Sequence, residues 1–150
     1  MKKLEVLLLL MLISFMSACN AREDIVFSKT KKQKEIDGIS LKFELPTFES
    51  YTVQGVTNYR GKLEFYLENV TQGTVTYRID SYPKVYREST KETYSVSIAY
   101  LDYETEHQLR PELTPHHRTA LFTLPTKPSS SDSYYLLFVF NKKYNIYFYF

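Results

Sequence analysis

From residue 39 onward apolar and polar residues alternate almost one for one, in stretches broken by Pro, Gly, Asn and Asp. Successive side chains on an extended backbone point to opposite faces, so this period of two dictates short, half-buried strands joined by turns. Ile39, Leu41, Phe43 and Leu45 share one face, with Ser40, Lys42 and Glu44 on the other, and Pro46, which has no N–H to donate, ends the ladder. Leu63, Phe65 and Leu67 alternate with Glu64, Tyr66 and Glu68. After turn residues 69–73, Val75, Tyr77 and Ile79 resume against Thr74, Thr76 and Arg78, so the two runs read as a hairpin or a sheet-crossing pair. Tyr94, Val96, Ile98 and Tyr100 form a further face, opposite Thr93, Ser95, Ser97 and Ala99.

Parity fixes where that strand stops. Continued, it would carry Asp102, Glu104 and Glu106 to the side of Val96 and Ile98, burying three carboxylates without cations beside them, so it is expected to end or bulge near Leu101. A loop through Pro111 and Pro115 leads to a short strand from Ala120 to Leu124, and the Ser-rich, Pro-bracketed stretch from Thr126 to Ser133 reads as a surface connection. Tyr134 to Phe140 is apolar or aromatic throughout, which suits a strand covered on both faces. A lysine-bearing turn at 141–145 then leads to Ile146–Phe150. On that last arm Ile146, Phe148 and Phe150 face one way, and Tyr147 and Tyr149 face solvent or a partner.

About seven to nine such strands are the expected content of an antiparallel β-sandwich. The 14 Tyr and 10 Phe suit a pleated surface, and only 4 Gly among 150 residues argues against low-complexity disorder. The run Glu68-Asn69-Val70-Thr71, the segment Leu109-Arg110-Pro111-Glu112-Leu113 ahead of Leu121-Phe122-Thr123-Leu124-Pro125, and the closing strand pair are similar in order to secreted immunoglobulin-like modules. No Trp and no disulfide pin the sheets together, so a transthyretin-like topology stays open alongside the immunoglobulin-like one. A domain of this size buries roughly two-thirds of its unfolded surface and needs no staple.

The N-terminus has a different layout. Lys2 and Lys3 precede a run from Val6 to Met16 that is apolar at every position but Ser14, too short for the ~20 residues of a membrane-spanning helix and of the right length for a secretory signal. Met16-Ser17-Ala18-Cys19 follows and resembles the lipobox of bacterial lipoprotein precursors. The resemblance implies cleavage before Cys19, diacylation of its thiol and a cell-envelope location. Asn20 in place of an Asp after the Cys implies the outer membrane, facing the periplasm. The expected organisation is a signal peptide at 1–18, a lipidated tether at 19–35 and a β-sandwich at 36–150. Two acyl chains suffice for stable anchoring. Within the tether, Lys29, Lys31, Lys32 and Lys34 offer attraction to anionic headgroups, and a solvated tether is the favoured reading of them. Loss of Lys2, Lys3 and Glu5 leaves 17 basic and 16 acidic residues of the original 19 and 17, a balance that gives no footprint for nucleic acid.

Catalytic and metal signatures are sparse. Glycines 38, 55, 61 and 73 supply no nucleophile elbow, dinucleotide fingerprint or phosphate loop. His116 and His117, with His107 nearby in sequence, could meet one ion only from an irregular loop, because neighbours on a strand diverge; exposed loop histidines are the simpler reading. Asp102, Glu104 and Glu106 lack the glycine turn and ligand spacing of a calcium loop and read as a solvated acidic segment. Tyr66, Tyr147 and Tyr149 remain as a candidate surface for a protein or for sugar rings. The expected function is therefore a lipid-anchored, non-enzymatic interaction module of the cell envelope, without metal or cofactor and with another envelope protein as partner. One alternative is an integral outer-membrane β-barrel, suggested by the closing Tyr144, Ile146, Phe148 and Phe150 and by about 130 mature residues. The other, a small hydrolase, would need a catalytic constellation that the sequence does not supply.

Overall fold

A computed structural model of the protein describes residues 21–150; the segment expected as a signal peptide and Cys19 lie outside the described residues. The chain forms an all-β sandwich from twelve strands: β1 (Glu23–Phe27), β2 (Gln33–Ile36), β3 (Ile39–Phe43), β4 (Thr47–Val53), β5 (Val56–Asn69), β6 (Val75–Tyr77), β7 (Lys84–Arg87), β8 (Thr93–Ala99), β9 (His107–Leu109), β10 (His116–Leu124), β11 (Tyr134–Phe140) and β12 (Tyr144–Tyr149). Nine of them follow one folded path, β1-β12-β11-β7-β8-β10-β5-β3-β2, and a tenth, β4, pairs with β5 off that path. The fold in that path occurs at β8. Its residues 93–95 pair with β7, and its residues 96–99 pair with β10, so one strand serves both layers. We call β1-β12-β11-β7 with the start of β8 sheet A, and the end of β8 with β10-β5-β3-β2 and β4 sheet B.

The core is the meeting of the two inward rows. Phe43 of β3 stacks on Phe148 of β12 at 4.7 Å and meets Phe27 at 4.9 Å, while Phe65 of β5 stacks on Phe138 of β11 at 5.7 Å. All five rings are at most 3% exposed. Truncating one such ring costs about 3–5 kcal/mol in other cores, comparable to the 2–5 kcal/mol that a native disulfide provides. A few rings thus replace the staple that a single cysteine cannot form. The strand path ends at β1 and β2, which share no ladder, and its apolar rows face inward. A membrane barrel requires the reverse, a closed ladder with its apolar band facing lipid, so the barrel alternative does not fit.

Glycine is required at two places. Asp37 and Gly38 take φ of 52° and 78°, the left-handed pair of a two-residue hairpin joining β2 to β3. Gly61, at the centre of β5, lies opposite both Phe48 of β4 and Phe122 of β10, and a Cβ there would stand 2.3 Å from the Phe122 ring. The two aromatic rings, 6.0 Å apart, share the space above this position.

Several expectations need correction. The segment expected as a tether is folded from Glu23 onward: β1 pairs in parallel with β12 and buries Ile25 and Phe27. Because β1 rises about 3.3 Å per residue, Lys29, Lys31 and Lys32 in the turn beyond it lie at the opposite end of the sandwich from Glu23. Leu45 leaves the buried row of Ile39, Leu41 and Phe43. Between the Phe43–Phe65 and Thr47–Lys62 pairs, Glu44, Leu45 and Pro46 oppose only Leu63 and Glu64, a bulge that swings Leu45 out to 47% exposure. Val75–Tyr77 does not pair with β5 but with β9. The buried Asn69 diverts the chain there: its side-chain amide donates to the carbonyls of Gly73 and Leu109 at 2.6 and 2.8 Å, and its oxygen accepts from the Thr71 N–H and hydroxyl, both at 2.8 Å. The expected end of β8 near Leu101 agrees with the last strand residue, Ala99, and Tyr100 turns away at φ 58°.

Candidate functional site

Alternation on β11 and β12 sends Tyr134, Leu136, Phe138, Ile146 and Phe148 inward, leaving Tyr135, Leu137, Tyr147 and Tyr149 on the outer face of sheet A. Cross-strand register assembles that face into rows. Tyr149, Tyr135 and Tyr86 stand side by side on β12, β11 and β7, and Val26, Tyr147, Leu137 and Lys84 do so on β1, β12, β11 and β7. Tyr135 is the hub: its ring stacks on Tyr86 at 4.9 Å with planes 8° apart and lies 5.0 Å from Tyr149 and 5.9 Å from Tyr147. The Lys91 ammonium, from the turn between β7 and β8, sits 5.8 Å from the Tyr135 ring centroid. Among the described residues, none of the four hydroxyls of Tyr86, Tyr135, Tyr147 and Tyr149 has a side-chain or backbone partner, whereas those of Tyr77, Tyr94, Tyr103 and Tyr144 are all bonded.

Electrostatics keep the central tyrosines of this face uncharged. Partial burial, then the neighbouring tyrosines, push the Tyr135 hydroxyl above its ordinary pKa; burial, then Asp24, does the same for Tyr147. Both remain protonated donors at physiological pH. At the β1 end the Asn145 amide donates to Asp24 at 2.7 Å, and Val26 is 51% exposed beside Tyr147. The arrangement offers rigid aromatic area with free hydrogen-bonding groups and no nucleophile or acid–base pair, which suits non-covalent recognition.

Of the sequence candidates, Tyr147 and Tyr149 belong to this raft and Tyr66 does not. Tyr66 lies on the outer face of sheet B, stacked on His117 at 4.8 Å with the Lys42 ammonium 5.9 Å away. Tyr86 and Tyr135 were missed. Tyr135 sits in a run read as covered on both faces, yet its partners at every second position, Leu137 and Val139, are only half-buried and mark a second, outer row. Cys19 lies outside the described residues.

The histidines diverge. His117 points outward, 3.4 Å from Glu64, while His116 points inward and accepts from the Tyr77 hydroxyl at 3.1 Å, which in turn accepts from Arg118 at 2.8 Å. Burial, then Arg118 and His107, lowers the His116 pKa and so favours the neutral ring that this chain of donors requires. His107 stacks on Tyr77 at 5.1 Å and bonds the Asp102 carbonyl at 3.0 Å. Asp102, Glu104 and Glu106 are all exposed, and Glu104 accepts from the Ser81 hydroxyl at 2.7 Å. Among the described residues no three His, Cys, Asp or Glu side chains converge as a metal site.

No protein-family profile matches the chain, and no curated protein matches it. Among solved structures, an uncharacterized β-sandwich protein from Clostridium difficile 630 is similar at a TM-score of 0.49 and 10% identity, over 87% of this chain and 95% of the other.

Proposed function

We propose that the protein is a lipid-anchored, non-enzymatic interaction module of the bacterial cell envelope that receives a protein partner on the tyrosine-lined face of sheet A. The tyrosine raft carries this reading. Half-buried, outward-facing aromatic area with a polar tip is the composition of interface centres, and pre-stacked rings lose little entropy on binding. A protein partner fits better than a glycan. Stacking on a sugar requires an open ring face, and Tyr135 has Tyr86 against it on one side and Tyr149, Tyr147 and Lys91 around it. What the raft leaves free is its four hydroxyls.

The anchor is Cys19, acylated after cleavage of residues 1–18, with the outer membrane facing the periplasm as the location. Glu23 lies four residues beyond Cys19, a reach of at most about 14 Å. The body is thus held close to the bilayer with β1, the edge of sheet A, nearest the anchor. Cell fractionation with intact mass measurement tests the anchor: the mature protein is expected to begin at Cys19 with added lipid mass, and Cys19→Ala is expected to be released by a salt wash. A mature protein that begins elsewhere without lipid contradicts it. Site-specific crosslinking from sheet A tests the partner, and an adduct resistant to proteases contradicts a protein.

A further inference from the structure

At the end of the sandwich opposite Glu23 the two layers part around a cleft of about 320 Å³. Leu45, Pro46 and Phe48 form one wall, Pro128 the other, and Tyr134 and Phe150, stacked at 6.1 Å, the floor. Two features build it. The bulge at Pro46 removes Leu45 from the core row, and the loop after β10 is pinned by Asp132, which accepts from Arg87 at 2.7 Å and from the Ser129 N–H at 3.2 Å. These bonds hold the Asp132 carboxyl below its usual range and cancel its charge against Arg87. Lys29 also lines the cleft, and among the described residues it has no ion pair and no side-chain hydrogen bond. The one uncompensated charge among the lining side chains is therefore positive.

We propose that this cleft binds a small hydrophobic monocarboxylate, its alkyl or aryl body among Phe48, Tyr134 and Phe150 and its carboxylate at Lys29. The volume lies at the lower end of the range for ligand sites and, at about 30 Å³ per atom-sized unit, admits roughly ten non-hydrogen atoms. The site is independent of the tyrosine raft, since it shares no residue with it and lies between the sheets, not on a face.

The full chain carrying Cys19→Ala is titrated by NMR with decanoate, 4-phenylbutyrate and the uncharged 4-phenylbutan-1-ol. Saturable shifts are expected at Leu45, Phe48, Tyr134 and Phe150, with the acid binding about fivefold more tightly than the alcohol, as an exposed ion pair allows. Lys29→Gln removes that preference. Leu45→Trp, at an exposed position, fills the cleft and abolishes binding while signals from Phe43 and Phe65 stay in place. Preference for decanoate identifies a fatty acid, and preference for 4-phenylbutyrate an aryl acid. The proposal is overturned by an absence of saturable shifts, by equal binding of acid and alcohol, or by binding that survives Leu45→Trp. None of these results depends on whether Cys19 is acylated or the raft has a partner.

Discussion

The two outer faces of the sandwich are built on the same alternation and come out chemically opposite. On sheet B the outward side chains satisfy one another: Lys62 pairs with Glu64 at 2.8 Å, His117 approaches the same carboxylate, and Tyr66 is stacked on His117. Its charged groups are paired, although the Tyr66 hydroxyl, like those on sheet A, has no partner among the described residues. On sheet A the outward positions hold Tyr86, Tyr135, Tyr147 and Tyr149 with Val26 and Leu137, and the four hydroxyls have no partner among the described residues. On the proposed function, this contiguous aromatic patch is the surface that the partner covers. Alternation decides which residues face out, and the identity of those residues decides whether the face is charged and ion-paired or aromatic.

The contrast is most exposed at its hub. Tyr135→Ala should weaken partner binding by roughly 30-fold, the effect of losing an interface anchor worth about 2 kcal/mol, while Tyr66→Ala should leave it within about twofold. Quantitative crosslinking of the two variants against the parent measures both; equal losses would erase the distinction between the faces.

Tyr144 sharpens it from the other side, as a tyrosine that is spoken for. Its hydroxyl donates to Asp37 at 2.8 Å, joining the start of β12 to the β2–β3 turn. That hydrogen bond, with burial behind it, pushes its pKa up to about 12. The folded state holds the proton more tightly than the unfolded chain, so this contribution is complete below pH 10 and is lost as pH rises from 10 to about 12. Tyr144→Phe should cost about 1 kcal/mol in urea unfolding at neutral pH, flatten the alkaline loss, and leave partner binding unchanged.

A smaller effect is expected at Glu64→Gln. Lys62 holds the Glu64 carboxyl below its ordinary pKa, so the stability from this ion pair is present at neutral pH and fades as pH falls through the carboxylate range. Thermal melts of the variant should lose only this slight acid dependence, since exposed ion pairs contribute little. A large loss at neutral pH would mean that sheet B is less self-sufficient than its geometry suggests.

Much of the framework could be read from the residues. β3, the second half of β5, β8 and β12 announce themselves by alternation and β11 by its unbroken apolar run, and the carboxylates at 102, 104 and 106 locate the end of β8. β1, β2, β7 and β9 could not be found this way. They are three to five residues long, too short to show a period, and β1 and β9 exist because a strand distant in sequence, β12 or β6, offers them a ladder. Asp37-Gly38 and Gln54-Gly55 were available as hairpin signals for β2–β3 and β4–β5. The raft was half visible. Tyr147 and Tyr149 share a face by parity alone, but their meeting with Tyr135 and Tyr86 is a property of strand order, and the same parity wrongly grouped Tyr66 with them from the far sheet.

A photo-reactive amino acid placed at position 147 and, separately, at position 66 of the full chain in intact cells tests the central claim most directly. The account predicts one discrete, protease-sensitive adduct from position 147 that disappears with Tyr135→Ala, and none from position 66. Adducts of equal yield from both positions, or an adduct at 147 indifferent to Tyr135→Ala, would contradict it.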